Sequence, residues 1–255
     1  MPSQPREIQS LARGIDILTF LTNADRPTGL TEIAQAMDLD KSTVYRLLVT
    51  LEARGYVVQD ADTRRYRPGL QIVALGRKVI SNIELRSVAK PWLKRLRQMT
   101  RESVELALLA DNRAIYIDGE ESTETLSVNT EVGKEIPIHC TALGKSLVSH
   151  FTREELEKIF IHESLTRYTP RTITTLRELI PHLESVFERG YATDDEEFNL
   201  GVRCIAAPIL DHRGKVVASV GISGPTIRIT HEKMSDLAQT VMESAQQITH
   251  LLGHP

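Results

Sequence analysis

The sequence predicts an α+β protein in which an N-terminal unit of three helices and a β-ribbon is joined by a further helix to a larger α/β unit. Three observations predict this organisation. Three early segments repeat apolar residues at helical spacing, and residues 56–69 alternate like a hairpin. Residues 70–84 form another helical run, and from about residue 85 extended segments lie between helical ones. The expected domains are therefore 1–69, a linker helix over 70–84, and 85–255.

The composition excludes several classes of protein. Of the 255 residues, 41% are hydrophobic and 25% are charged, which is typical of a soluble globular chain. No apolar run reaches the length of about 18 residues that a membrane span needs, and residues 1–14 lack the apolar core of a signal peptide. A cytoplasmic protein with no membrane partner is expected. The two cysteines, Cys140 and Cys204, form no CxxC motif, so no metal, disulfide or cofactor is expected.

The first two helices are predicted from apolar spacing. Residues 8–23 form an amphipathic helix, and its expected core stripe is Leu11, Ile15, Leu18 and Leu21. Residues 30–37 form a shorter helix that begins near Thr31, with Ile33, Ala34 and Met37 turned inward. A tight turn over residues 38–40 leads into the third helix.

The third helix, in DKSTVYRLLVTLEARGYV (residues 40–57), has two unlike faces. Asp40 is placed to cap its first turn and Gly55 to end its last one. One face is the stripe that a helix buries, at i, i+3, i+4 and i+7: Val44, Leu47, Leu48 and Leu51. The opposite face carries hydrogen-bond donors: Ser42, Thr43, Tyr45, Arg46, Thr50 and Arg54.

A tight turn between two helices, followed by a β-ribbon, predicts a winged helix-turn-helix whose third helix enters the major groove of DNA. From Lys41 to Arg67 there are six basic and three acidic residues, a balance of +3 in a chain whose formal charge is −3. Residues 41–43 alone are explained equally well as an ordinary helix start and as a DNA contact. The turn before the helix and the ribbon after it favour DNA binding. The expected contacts are Thr31, Lys41, Ser42, Thr43, Tyr45 and Arg46, with Arg64 and Arg65 on flanking phosphates.

The rest of the chain predicts a linker and an antiparallel α/β unit. The linker helix has an apolar face suited to self-association: Leu70, Val73, Leu75 and Ile80. A following helix is interrupted or restarted at Pro91, and residues 103–111 and 114–121 form a hairpin. Residues 136–151 begin extended and become helical near Thr141. Beyond them lie helices over 152–160 and 174–190, three extended runs between 190 and 225, and a final helix over 231–252.

Three stretches, HCTALGKSL, DDEEFNLGVRCIAAPILDHRG and SVGISGP, resemble the IclR family of bacterial transcription regulators. With the helix-turn-helix, the resemblance covers nearly the whole chain. It implies that the C-terminal α/β domain is similar to a GAF domain and binds an effector. It also implies a homodimer or dimer of dimers that binds palindromic double-stranded operator DNA and responds to a small organic acid.

The resemblance also implies an effector pocket. The turn at Thr141, Ala142, Leu143 and Gly144 would present backbone N–H groups to a carboxylate, as the positive end of a helix does in general. Asp194, Cys204 and Ser223 match polar pocket positions, and Val202 matches an apolar wall. Relatives that bind very small keto acids tend to have Ser at the position of Gly221, so extra space is expected there. A sugar acid is the favoured effector, and a carbon-catabolism operon is the favoured target.

Other chemistries have weaker support. Residues 144–146 (Gly-Lys-Ser) are similar to the end of a phosphate-binding loop, but His139 stands where that loop needs glycine. The acidic run 194–197 is a metal site, an acid/base pair or, more commonly, a solvated surface; alternation along a strand allows at most alternate members to converge, and Asp194 alone is expected to face the pocket. The two cysteines form a redox switch or, as is more common, pack in the core as small apolar side chains. A small-carboxylate enzyme fused to a DNA-binding domain would need a nucleophile–base pair or metal triad, and no motif supplies one. A regulator rather than an enzyme is predicted.

Overall fold

A computed structural model of the chain describes residues 8–81, 84–110, 112–161 and 165–253, with the side chains of 77–81 and 84 left undescribed. The chain divides into two compact units, Met1–Asn82 and Ile83–Pro255. The three-part division into 1–69, 70–84 and 85–255 stays a prediction, since the linker helix is counted with the first unit. Each unit has its own core and is described by itself.

The N-terminal unit is a winged helix-turn-helix. Its elements are α1 (Gln9–Thr22), α2 (Leu30–Ala36), α3 (Lys41–Ala53), β1 (Val57–Gln59), β2 (Tyr66–Pro68) and α4 (Leu70–Ser81). The ribbon pairs antiparallel, with Val58 opposite Arg67, and Thr28 bridges to Tyr66. The three helices and the ribbon share one apolar core: Ile17, Leu21, Ile33, Ala34, Val44, Leu48, Val57 and Tyr66.

The ends of α3 follow from its sequence. The Asp40 side chain accepts a hydrogen bond from the Thr43 N–H at the start. At the end, Gly55 has φ +74°, and the N–H groups of Gly55 and Tyr56 donate to the carbonyls of Glu52 and Leu51. This is the left-handed helix end that glycine favours, and both predicted ends are confirmed.

The predicted core stripe of α1 is wrong in part. Leu11 and Ile15 are 60% and 54% exposed, whereas Gly14, Ile17 and Leu21 are buried. The helix carries apolar residues on more than one side, so helical spacing alone does not identify the buried side. The linker helix likewise leaves Leu70 exposed, along with Val73 and Leu75; the side chain of Ile80 lies outside the described residues.

The C-terminal unit is built on a six-stranded antiparallel sheet in the order β5-β4-β3-β8-β7-β6. Its strands are β3 (Ser103–Ala110), β4 (Arg113–Glu120), β5 (Glu135–Ile136), β6 (Ala192–Asp195), β7 (Val202–Leu210) and β8 (Val216–Pro225). Its helices are α5 (Glu84–Thr100), α6 (Ala142–Leu147), α7 (Arg153–Phe160), α8 (Leu176–Arg189) and α9 (Met234–Leu251). A short 3₁₀ turn, His231–Lys233, precedes α9.

Helices α5 and α9 cover one face of the sheet. Their buried residues pack on Val104, Leu106, Ile205, Val220 and Ile222 from the strands. Helix α5 runs through Pro91 without a break, so the predicted interruption is wrong. Pro91 lies on the exposed side of the helix, while buried residues before and after it hold the helix on the sheet.

Helices α6, α7 and α8 cover the other face, together with the segment around Ile136 and Ile138. Helix α7 begins with the predicted capping box between Thr152 and Glu155, and α8 ends at Gly190, which has φ +80°. The connection from β4 to β5, residues 121–134, passes over this face. It is tied down where the Ser103 hydroxyl donates to the Val128 carbonyl, 2.7 Å away.

Candidate functional sites

The outward face of α3 carries the predicted DNA-reading residues. Tyr45 is 52% exposed, and Lys41, Ser42 and Arg46 are exposed as well. Val49, which sequence reasoning missed, is 44% exposed at i+4 from Tyr45. An exposed valine beside an arginine and a tyrosine suits a face that meets thymine methyl groups as well as polar base edges.

The hydroxyl groups at the start of α3 already have acceptors. Ser42 Oγ donates to Asp40 Oδ1 at 2.5 Å, and Thr43 Oγ1 donates to Asp40 Oδ2 at 2.7 Å. These hydrogen bonds hold the pKa of Asp40 well below its usual range, so the carboxylate stays ionised. To donate to phosphates, both hydroxyls would have to break their hydrogen bonds to Asp40. Lys41 and Arg46, in contrast, form no ion pair among the described side chains and need break none to contact DNA.

Arg64 and Arg65 of the ribbon are both predicted to contact phosphates, but their surroundings differ. Arg64 is exposed in the turn with φ +55°, where its N–H donates to the Asp60 carbonyl. Arg65 is partly exposed but tied to the rest of the unit, because its Nη1 donates to the Pro27 carbonyl at 3.1 Å and lies 3.2 Å from Glu32 Oε1. Thr31 is exposed in the first turn of α2, next to Glu32. Exposed Arg67, on β2, is a further cation that the predicted site left out.

The C-terminal unit contains a cavity of about 110 Å³ between the sheet and α6. Of the eight predicted effector residues, seven line it: Thr141, Ala142, Leu143, Asp194, Val202, Cys204 and Ser223. Gly144 does not line it. A side chain on Gly144 would lie 2.5 Å from the Ile138 Cα, so this glycine allows α6 to approach the preceding segment closely.

The polar floor of the cavity is a consequence of strand register. Asp194 on β6 lies opposite Cys204 on β7, and Cys204 lies opposite Ser223 on β8. Ser223 in turn lies opposite Ser103 on β3, two residues before Glu105. Since residues directly opposite each other in a sheet point to the same face, this row presents its side chains together.

Gly221 does not enlarge the cavity in the way its sequence suggests. It lines the cavity, but a Cβ there would lie 2.7 Å from the Ile205 carbonyl oxygen and 2.9 Å from the Ala206 Cβ. The glycine therefore permits close approach of β8 to β7. The expectation of freed space at this position is wrong, because neighbouring backbone occupies the space a side chain would need.

The start of α6 places two backbone N–H groups of its first turn on the cavity wall. Thr141 caps the helix, and its hydroxyl oxygen accepts from the Gly144 N–H at 3.1 Å. The N–H groups of Ala142 and Leu143 belong to the first turn, which has no acceptors within the helix. Both residues line the cavity, whereas the Gly144 donor is already used by Thr141.

Asp194 is buried and holds the acidic loop that follows β6. Its Oδ1 accepts from the N–H groups of Glu197 at 2.7 Å and Phe198 at 3.3 Å. Burial raises the pKa of Asp194 to about 7, against the opposing influence of Lys145 and the backbone donors. The carboxyl group therefore changes charge near neutral pH.

The other members of the acidic run lie outside the cavity, but one of them is buried. Glu197 is 7% exposed, and its Oε1 lies 2.5 Å from the Nζ of Lys145, which is fully buried. Asp195 and Glu196 pair with Arg171, and Asp195 also pairs with Arg203. The acidic run is thus mostly a set of ion pairs that fix the loop, with only Asp194 on the cavity wall.

Sequence reasoning missed several cavity residues, of which Glu105 is the most unusual. It is fully buried, and burial raises its pKa to about 8. The sequence signal is a single glutamate within the apolar strand SVELALLA. Other polar residues on the cavity wall that were missed are Tyr116, Asn129, Lys134 and Asn199.

The thiols do not form a disulfide. Cys140 and Cys204 are both free, and burial raises the pKa of each. A thiol held in its protonated form is a poor nucleophile, which favours the filler interpretation over redox sensing. Within the described residues no group of His, Cys, Asp and Glu is arranged to hold a metal ion.

Comparison with known proteins agrees with the two units. The model of the IclR helix-turn-helix domain matches residues 10–61, and the model of the bacterial transcriptional regulator IclR C-terminal domain matches residues 77–250. The chain belongs to the IclR family. An IclR-family chain is a transcription regulator with a DNA-binding domain, so the prediction that it is not an enzyme is confirmed.

Individual IclR-family relatives match along the whole chain. KdgR of Dickeya chrysanthemi, a transcriptional regulator, is 34% identical over 254 residues, which cover 100% of this chain and 83% of KdgR. The transcriptional repressor AllR of Escherichia coli K12 is 34% identical over 257 residues, covering 100% of this chain and 95% of AllR. The crystal structure of Thermotoga maritima IclR has a TM-score of 0.75 at 32% identity, covering 97% of this chain and 100% of that one. In the described part of this chain, no helix is long and apolar enough to span a membrane.

Proposed function

We propose that this IclR-family regulator binds a palindromic operator with its N-terminal unit and a small organic acid in the cavity of its C-terminal unit. The acid would change how the paired DNA-binding units engage DNA in the cytoplasm. The observation that carries the effector half is a cavity lined by polar side chains of one strand row, the buried Asp194 and Ser223 and the partly buried Cys204, with the start of α6 beside it. Such convergent polar groups in a small concave site fit ligand binding.

The DNA-binding half rests on the exposed face of α3. Lys41 and Arg46 are exposed and form no ion pair with any side chain that the structure describes, and Tyr45 and Val49 offer apolar contact. Arg64 and Arg67 on the ribbon would contact phosphates. Arg65, by contrast, would serve mainly to hold the ribbon against α2, because Glu32 and the Pro27 carbonyl already occupy it.

A homodimer, or a dimer of dimers, follows from the way such a unit reads DNA. One third helix contacts only a half-site, and two copies related by two-fold symmetry read a palindrome whose half-sites lie about one helical turn apart. The exposed apolar face of α4, which contains Leu70 and Val73, is the surface we assign to the second copy. Self-association would remove this surface from water.

The cavity size bears on the identity of the acid. The cavity volume is about 110 Å³, which favours a small acid. The six-carbon sugar acid favoured from sequence is larger, so acids of both sizes enter the test. The proposed target, a carbon-catabolism operon, is compatible with either.

The test combines ligand binding with DNA binding. We expect thermal unfolding of the purified chain to shift upward with one class among sugar, keto and aromatic acids, without product formation. The same acid should change affinity for DNA from the chain's own promoter in a mobility-shift assay. Stabilisation that leaves DNA affinity unchanged would contradict the regulatory proposal, and turnover of the acid would contradict the non-enzymatic one.

Asp194→Asn is the matched variant for this test. It keeps the side-chain shape and one acceptor for the backbone donors of residues 197 and 198 but removes the charge. We expect it to weaken the thermal shift while leaving DNA affinity without ligand unchanged. Asp236→Asn, on the helix α9, is the control and should behave as wild type.

A further inference from the structure

Glu105 is a buried acid with no cationic partner. It is fully buried in β3, and it forms no ion pair among the described residues. Of the other buried acids, Glu197 pairs with Lys145 and Glu102 pairs with Arg228, whereas Asp194, on the same cavity wall, also forms no ion pair among the described residues. A buried carboxyl group without a cation costs stability, so its presence on a cavity wall needs a reason.

The hydrogen bonds of Glu105 leave part of its capacity unused. Its Oε1 accepts from the Thr130 hydroxyl and its Oε2 from the Ser223 hydroxyl, each at 3.1 Å. In the ionised form each oxygen could accept one further hydrogen bond, and in the protonated form one of these two positions carries the O–H. The group is protonated at neutral pH, because burial raises its pKa to about 8, and so it also carries one O–H donor.

The two partners hold the carboxyl group in position from opposite sides. Thr130 belongs to the connection between β4 and β5, and Ser223 belongs to β8. Gly221 lies directly opposite Glu105 in the β3–β8 register. Glu105 and Gly221 both line the cavity, so a ligand there reaches the carboxyl group.

We propose that Glu105 is a specificity-determining residue that exchanges hydrogen bonds with a hydroxyl group of the effector, so that the cavity prefers hydroxylated monocarboxylates. This inference rests on the proposed effector function of the cavity. A hydroxyl group satisfies a carboxyl group in both directions, since it accepts the acid proton and donates its own. A keto oxygen only accepts, and an unsubstituted carbon does neither.

The charged groups on the cavity wall limit the ligand to one carboxylate. Asp194 lines the same cavity, and both acids lie near Tyr116, whose pKa is raised first by burial and then by neighbouring groups that include these two. Lys134 is the cation on the cavity wall, with the backbone donors of Ala142 and Leu143 nearby. Lys134 can neutralise one ligand carboxylate, whereas a second would have no further cation among the described residues that line the cavity.

The test uses three acids of equal chain length: lactate with a hydroxyl, pyruvate with a keto group and propionate with neither. Dissociation constants would be measured by calorimetry at pH 7 on the full chain. For wild type we expect lactate to bind about tenfold more tightly than propionate, with pyruvate between them, from one buried hydrogen bond lost. A six-carbon pair, gluconate and hexanoate, extends the same comparison to sugar acids.

Two variants assign the preference to Glu105. Glu105→Met, similar in length but without hydrogen-bonding groups, should bind lactate and propionate equally. Glu105→Gln, which keeps a donor and an acceptor, should retain the lactate preference. Melting temperatures would establish that each variant is folded; the wild-type and Glu105→Gln measurements stand even where the methionine variant does not fold.

The outcomes separate this proposal from the one it rests on. Wild type that binds acids without preferring the hydroxylated member overturns the role of Glu105 and leaves the effector cavity intact. A hydroxyl preference that persists in folded Glu105→Met also overturns it. Failure of every acid in both chain-length sets to bind wild type would count against the effector cavity, and the Glu105 proposal would fall with it.

Discussion

The two units use the same polar residue types in opposite ways. In the N-terminal unit, Asp40 is exposed, and its partners Ser42 and Thr43 are two and three residues away. In the C-terminal unit, Glu105 is buried, and its partner Ser223 is 118 residues away. The pKa of Asp40 falls because hydrogen bonds dominate, whereas the pKa of Glu105 rises because burial dominates.

This difference matches what each surface is proposed to bind. A DNA-reading face must stay hydrated and free to exchange partners, so its internal hydrogen bonds are local. A cavity for a small acid has to discriminate by a few atoms, and buried groups do so because any unmade hydrogen bond there is costly. Substitutions in the C-terminal unit should therefore cost more than those in the N-terminal unit.

The largest effect is expected from Lys145→Met. It leaves Glu197 buried without its cation, and breaking a buried pair by removing one partner costs about 3–5 kcal/mol. Urea unfolding of the variant should show this loss, and adding Glu197→Gln should recover part of it. Lys134→Met, at an exposed position, is the control; an equal loss there would remove the contrast between buried and exposed charge.

The next effect is the pH dependence of stability through Glu105. Its folded pKa of about 8 lies above the ordinary 4.5, so the folded state retains a proton that the unfolded state releases. The stabilisation is fully present below about pH 4.5 and is lost as pH rises to about 8, by a few kcal/mol at ~1.4 kcal/mol per pKa unit.

Glu105→Gln should reduce the change of unfolding free energy between about pH 4.5 and about pH 8. The groups that face Glu105 across the cavity, Asp194, Tyr116, Cys204 and Lys134, remain in the variant, so the difference between the two curves isolates Glu105. Unfolding free energies measured from pH 5 to pH 8 provide the check. Parallel curves for wild type and variant would show that Glu105 does not titrate in this range.

A smaller effect is expected from Arg46→Ala. If Arg46 binds a guanine with two hydrogen bonds, its loss should cost about 1–3 kcal/mol of discrimination between bases. If it contacts a phosphate, its loss should lower the slope of log affinity against log salt by about 1. Operator affinity at several salt concentrations distinguishes these cases. Arg213→Ala, on the exposed β7–β8 turn, should leave operator affinity unchanged, and an unaffected Arg46→Ala would refute α3 as the reading helix.

The smallest effect is expected from Asp40→Ala. Loss of an N-terminal cap costs about 1 kcal/mol. The substitution also frees the hydroxyls of Ser42 and Thr43, so operator affinity should change little or rise. Unfolding of the variant measures the first expectation and mobility shifts the second. If Asp40→Ala lowered the unfolding free energy as much as Lys145→Met, the exposed cap of α3 would contribute as much stability as the buried ion pair, contrary to this expectation.

Local signals in the sequence were sufficient for most elements. The cap at Asp40, the end at Gly55 and the capping box at Thr152 and Glu155 depend on residues a few positions apart, so their chemistry is visible in the sequence. Leu11 shows the limit, since periodicity identifies a helix but not which apolar side meets the core.

By itself, the sequence determined the order of helices and strands, the two-unit organisation, the family, and seven of the eight residues expected at the cavity wall. Only the tertiary structure decided that Arg65 is held by Glu32, that Gly221 accommodates a neighbouring strand, and that Glu105 lies beside Ser223. The physical reason is distance along the chain. Strand register brings together groups more than a hundred residues apart, and burial then determines their charge, whereas sequence patterns report only interactions between near neighbours.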